Sequence, residues 1–155
     1  MRVVVMSDSH GDPQAVQQVL QQHPTADGFL HLGDGYRDWA FEQISPPRFL
    51  RGVCGNNDWS SAVPEQLVLD LDGVVTLAVH GHTCGVKGGL GRLKQLAQQK
   101  NAQLVLFGHT HRPFTDYTDS MWLVNPGSLG EYRNPTYCIV EIKNGKVTDV
   151  KHCSL

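Results

Sequence analysis

The feature that most constrains this chain is a recurrence. Short apolar runs each end in a glycine-bearing loop that carries Asp, Asn or His. Residues 2–7 run into Asp8-Ser9-His10-Gly11, residues 28–32 into Gly33-Asp34-Gly35, and residues 48–53 into Gly55-Asn56-Asn57-Asp58. Residues 74–80 end in His80-Gly81-His82, and residues 104–107 run into Gly108-His109-Thr110-His111. Apolar runs bounded by turn residues fit buried strands. In α/β sheets the carboxyl ends of such strands converge on one crevice, where ligands bind. The pattern therefore predicts five separated loops gathered at one pocket.

The rest of the chain fits that frame. Ala15, Val16, Val19 and Leu20 fall at helical spacing, which predicts a helix over 14–22 that ends before Pro24. Further helices are expected over 36–43 and 90–100, the latter with Leu93, Leu96 and Ala97 on one face. Asp72-Gly73 and Asn144-Gly145 sit between strand-like runs as hairpin turns. Residues 114–117 and 121–124 form another strand pair around Asp119-Ser120. Alternating β and α followed by hairpins predicts an α/β fold with mixed sheets, and a two-sheet sandwich flanked by helices fits. A chain of 155 residues is expected to form one domain, 1–155.

Composition removes several functions. With 13 basic and 15 acidic residues the net charge is -2, and no Lys or Arg run offers the basic face that nucleic-acid binding needs. The first apolar run is too short for a signal-peptide core, and no stretch approaches a membrane span. A cytoplasmic location without membrane attachment is expected. Cys54, Cys84, Cys138 and Cys153 show no C-x-x-C pair, so free thiols in a reducing compartment are expected.

The loops carry a particular set of donors. Six of the eight histidines belong to or adjoin them: His10, His31, His80, His82, His109 and His111. His31 lies inside its strand, so a core role is expected for it. Asp8/His10 and His109/His111 are spaced i, i+2, which points both side chains of a pair the same way in extended chain. Imidazole with carboxylate and amide oxygen suits Mn, Fe, Zn or Co better than Ca or Mg. The seven donors Asp8, His10, Asp34, Asn56, His80, His109 and His111 are too many for one ion and about right for two.

These ordered motifs resemble the calcineurin-like metallophosphoesterases, and the short length with Asn125-Pro126-Gly127-Ser128 looks like their small phosphodiesterase branch of bacteria and archaea. The resemblance implies a four-layer αββα sandwich of two mixed β-sheets flanked by helices. It implies that Asp8, His10 and His111 bind one metal, that Asn56, His80 and His109 bind a second, and that Asp34 bridges both. Manganese is the first expectation for the pair, with iron, zinc, cobalt or nickel as alternatives. The implied reaction is hydrolysis of a small phosphate ester, foremost a phosphodiester, by a hydroxide that bridges the two divalent ions and attacks phosphorus in line.

One position departs from the pattern. Many relatives carry His after the ligand Asn, where it assists the leaving group; here Asn57 stands there. An amide can donate a hydrogen bond but cannot transfer a proton as an acid. Asn57 and His82 are therefore the candidate catalytic side chains, with a metal-bound water as the other proton source. Asn56 and Ser128 are expected to contact substrate, and Asp58 to orient a neighbouring loop. Trp39 and Trp59 could wall the substrate side. The alternatives are a phosphomonoesterase or nucleotide hydrolase of the same fold, and a non-catalytic scaffold like the retromer subunit that resembles this family. A homo-oligomer is possible on the same resemblance.

Overall fold

Residues 3–6 are buried on both faces, so the first strand needs cover from two sides. A computed structural model, which describes residues 1–59 and 62–155, shows how the cover is supplied. The elements in chain order are β1 (Arg2–Met6), α1 (Pro13–Gln22), β2 (Gly28–His31), α2 (Tyr36–Trp39), β3 (Phe49–Gly52), β4 (Gln66–Leu71), β5 (Val74–Val79), α3 (Gly91–Gln99), β6 (Leu104–Phe107), β7 (Pro113–Thr118), β8 (Met121–Pro126), β9 (Thr136–Lys143) and β10 (Lys146–Ser154). A 3-10 turn at His82–Cys84 follows β5.

The strands form two five-stranded mixed sheets, ordered β10-β9-β1-β2-β3 and β4-β5-β6-β8-β7. Val3 and Val5 of β1 face the other sheet, packing with Leu30, Leu104, Leu106 and Val124. Val4 and Met6 face outward onto Val16, Val19 and Leu20 of α1 and onto Trp39 of α2. The second sheet is covered in turn by α3, through Leu93 and Ala97 against Leu77, Val105 and Leu123. The architecture is the αββα sandwich. Each fully buried Val or Leu contributes roughly 1.5–3 kcal/mol relative to leaving it in water.

Local signals agree with this frame. Asp12 caps α1, its carboxylate accepting from Ala15 N at 2.9 Å, and Pro13 opens the helix. Asp72-Gly73 and Asn144-Gly145 both carry the two positive φ values of a tight hairpin turn. Helix α2 is shorter than the expected span 36–43. It stops at Trp39, and Glu42 N turns back to Trp39 O at 3.0 Å. Pro46 and Pro47 follow and cannot continue a helix. Among the described residues, no helix is long and apolar enough to cross a membrane.

Candidate metal centre

The sheet topology decides where the loops go. Strands β1, β2 and β3 are parallel and end level, Met6 beside His31 and His31 beside Gly52. In the other sheet β5 and β6 are also parallel, with Val79 beside Phe107. Their loops are then tied together by backbone bonds: Asp8 N to Gly33 O at 2.9 Å, His10 N to Asp34 O at 3.0 Å, and Gly108 N to His80 O at 3.0 Å. His109 N closes the gap between the sheets by donating to Asp8 Oδ2 at 3.0 Å. Asp8, His10, Asp34, His109 and His111 all hold positive φ, between 49° and 67°. Each such residue costs on the order of 1–3 kcal/mol, and strain of this kind persists only where the surroundings over-determine it.

The side chains gather into two groups. Asp8, His10 and His111 form one, and Asp34, His80 and His109 the other, each with one donor atom per residue within 4.8 Å of the rest. The groups adjoin, since Asp8 Oδ1 stands 4.0 Å from His80 Nε2. In the first, His10 Nε2 and His111 Nε2 are 3.2 Å apart. In the second, His80 Nε2 lies 3.1 Å from His109 Nδ1, 3.2 Å from Asn56 Oδ1 and 3.5 Å from Asp34 Oδ2. The far nitrogen of His80 faces the Leu32 carbonyl at 2.8 Å. That nitrogen therefore carries the ring proton, and Nε2 turns its lone pair toward the Asn56 and Asp34 oxygens.

Lone pairs facing one another at these distances repel unless a cation lies among them. A metal–nitrogen bond of about 2.1 Å puts neighbouring ligand atoms about 3.0 Å apart in an octahedron and about 3.4 Å apart in a tetrahedron. Asp8 adds a second sign. Among the described residues its Oδ1 is buried with no hydrogen-bond partner, although His111 Nε2 stands 3.2 Å away. A buried carboxylate oxygen left unpaired is costly. The donor set and the orphaned oxygen both fit divalent ions.

Protonation follows the same geometry. Burial pulls the Asp8 carboxyl up, but His111, His80 and the Ser7 hydroxyl together hold it below the ordinary range. Contact with Asp8 raises the His111 imidazole against its own burial. His109 is pushed down to about 4 by burial, with repulsion from His80 and Lys87 adding to it. His31 is fully buried and also sits at about 4, chiefly from that burial.

Supporting groups surround the donors. Ser7 Oγ donates to Asp8 Oδ2 at 2.5 Å, which leaves Oδ1 as the free atom. Asp58 accepts four backbone N–H groups, from Asp34, Gly35, Tyr36 and Gly55, at 2.7–2.9 Å. Burial raises its carboxyl, and those four donors outweigh the effect and hold it low. Asp58 thus clamps the Asp34 loop to its own. Gly55 and Gly108 permit close approach: a Cβ at Gly55 would meet Asp34 Oδ1 at 2.1 Å, and one at Gly108 would meet Ser7 Oγ at 2.0 Å.

The remaining candidates take varied places. Asn57 grips Asp34 twice, its backbone N 2.8 Å from Oδ1 and its Nδ2 2.6 Å from Oδ2. His82 is half-buried, its ring centroid 5.4 Å from His80 and 6.2 Å from His109. Burial lowers the His82 pKa, and repulsion from His80 adds to that. Asn56 is exposed at the mouth. Ser128 departs from the substrate contact expected of it. It is buried and its hydroxyl donates to the Asp8 carbonyl at 2.8 Å, so it braces the loop from below. Trp39 is in the core, while Trp59 is 83% exposed. Trp59 lines a cleft of about 360 Å³ with Tyr36, Arg37 and Asn57, beside His10 and Asp34.

Sequence reasoning misses Ser7 and Glu131. Ser7 is a polar residue closing an apolar strand just before a donor, which is a usable signal. Glu131 Oε1 lies 3.2 Å from His111 Nδ1, twenty positions along the chain, and no local pattern marks it.

Comparison with known proteins identifies the family and the fold. A probable metallophosphoesterase of Mycoplasma genitalium is 30% identical over 158 residues, spanning 97% of this chain and 93% of that protein. A protein of Methanocaldococcus jannaschii named as a phosphodiesterase is 21% identical, spanning 97% and 98%. Among solved structures, a Streptococcus pneumoniae protein described as a predicted phosphoesterase superposes with TM-score 0.77 at 28% identity, covering 99% of this chain and 97% of that one. Vps29 of Entamoeba histolytica, solved with Zn2+, has TM-score 0.76 at 20% identity and full coverage of this chain, a likeness of fold alone. The model of the calcineurin-like phosphoesterase superfamily domain matches residues 1–145, and the chain belongs to that superfamily.

Proposed function

We propose that the chain is a phosphodiesterase that works with two divalent ions, with manganese the first metal to try. The observation that carries this reading is the pair of adjoining donor groups with the unpaired Asp8 Oδ1 between them. Asp8, His10 and His111 would hold one ion, and His80, His109 and Asn56 the other, with Asp34 shared. When bound, such ions acidify a water and draw charge from phosphoryl oxygens. The protein's own part is orientation. Leu32 O fixes which His80 nitrogen faces the site, Ser7 turns Asp8 Oδ1 inward, and Asn57 holds both Asp34 oxygens. The cleft at Tyr36, Arg37 and Trp59 offers room for one organic arm of the ester, with a cationic and an aromatic side chain at hand.

The named phosphodiesterase relative supports diester over monoester substrates. So does Asn57, which cannot protonate a poor leaving group. A metal-resolved screen of monoesters, diesters and nucleotides tests the reading. Diesters with acidic leaving groups should be cleaved fastest, with a steep fall as leaving-group pKa rises. A flat profile with chemistry rate-limiting would show that His82 or another acid supplies the proton. The scaffold alternative keeps the Vps29 likeness of fold, but the complete donor set weighs against it. It predicts a protein that stays metal-free after incubation with Mn, Zn or Fe. We also take residues 1–155 as one domain, and the four free cysteines fit a cytoplasmic setting. Association into a homo-oligomer is left to direct measurement of mass in solution.

A further inference from the structure

Behind the donors runs a buried polar chain that the reading above does not use. Gly33 N–H points at His31 Nδ1 at 3.2 Å, so the ring proton belongs on Nε2. Nε2 then donates to Ser9 Oγ at 3.0 Å. The Ser9 hydroxyl has one proton, which goes on to Asp38 Oδ2 at 2.5 Å. Gly11 N–H donates to the same carboxylate oxygen at 3.0 Å. His31, Ser9 and Asp38 are 0%, 1% and 7% exposed. Every proton along the chain has one available direction, so no link can reverse without stranding a buried polar group.

The anchor points give the chain its meaning. Ser9 lies between Asp8 and His10, and Gly33 immediately precedes Asp34. Asp38 sits on α2, outside both loops. Asp8, His10 and Asp34 all hold left-handed backbone, which relaxes unless something pins it. Resting on the two-ion reading, we propose that His31, Ser9 and Asp38 are a positioning relay that sets the spacing between the Asp8–His10 loop and the Asp34 loop, so that two ions are held as a coupled pair. None of the three belongs to either donor group, and Asp38, 7% exposed, meets the cleft only at its wall by Tyr36 and Arg37. They act through the loops, and their removal shows first in how the ions are paired.

The test is a manganese titration of the purified protein followed by electron paramagnetic resonance, with thermal melting of each metal-free variant alongside. Wild type should take two ions and show an exchange-coupled signal. Ser9→Ala and His31→Ala should bind the second ion at least ~10-fold more weakly, the scale of lost supporting contacts in metal sites, and show isolated ions. Ser9→Thr keeps the hydroxyl and should restore the coupled signal. Asp38→Ala, which removes the acceptor of Ser9 and Gly11, carries the same expectation and serves if His31→Ala fails to fold. Variants that melt earlier yet keep both affinity and coupling would overturn the relay and leave the network a matter of packing. Wild type that binds fewer than two ions overturns the two-ion reading itself, and the relay with it.

Discussion

The two donor groups share an edge but not an environment. In the second, the Asp34 and His80 side chains are 2% and 0% exposed, and each is already fixed by protein groups. His80 is tied to Leu32 O and Asp34 to Asn57. In the first, Asp8 is buried, but the His10 and His111 side chains are 35% and 34% exposed. On its far side His111 meets Glu131, whose own side chain is 51% exposed. On the two-ion reading, the contrast teaches that the second group has two donors fixed before an ion arrives, while the first has only Asp8 fixed. The second group should load first and release last.

The strongest test of that contrast is Asp34→Asn. Activity on an activated aryl diester should fall on the order of 10³-fold, as when a key charge-stabilising group is removed, with both ions lost by elemental analysis. Loss of the second ion alone would assign Asp34 to that group and sharpen the difference between the two.

Acid probes the buried side next. His31 has its pKa lowered in the folded state, from 6.5 to about 4. Its contribution to stability is therefore complete above pH 6.5 and is lost as pH falls from 6.5 toward 4. The 2.5-unit shift corresponds to about 3 kcal/mol. Urea denaturation of the metal-free protein between pH 7.5 and pH 4 should show this slope, and His31→Gln should flatten it. Equal slopes in the two proteins would mean that His31 is not the group that makes the buried backing acid-sensitive.

Smaller effects separate the groups directly. His80→Ala should weaken its ion ~10-fold more than His10→Ala weakens the other, read by titration calorimetry. Equal losses would break the comparison. Glu131→Gln should cost only a few-fold in affinity, roughly 0.5–1 kcal/mol for an exposed contact, and should leave the second ion untouched.

Much of this was legible in residue types. Asp-Gly and Asn-Gly mark their hairpins because few other pairs accept positive φ at both positions. Polar donors at the ends of apolar strands mark the loops, since parallel strands must end at one edge. What was not legible is which distant group backs each donor. Ser128 and Asp8 are 120 positions apart, and their bond depends on the sheet order. The direction of the Ser9 hydroxyl is likewise decided by His31 and Asp38, which come together only through the fold.

The pocket also straddles the seam of the sandwich. Asp8, His10 and Asp34 hang from one sheet; His80, His109 and His111 hang from the other, and hydrogen bonds such as His109 N to Asp8 and His80 Nδ1 to Leu32 O cross between them. Cations bound there would rivet the two halves face to face, adding mechanical cohesion to a joint otherwise made of oily contact and a few hydrogen bonds. Chelators and heat then act on the same joint, and stripping the rivets should let the halves slip before either unravels.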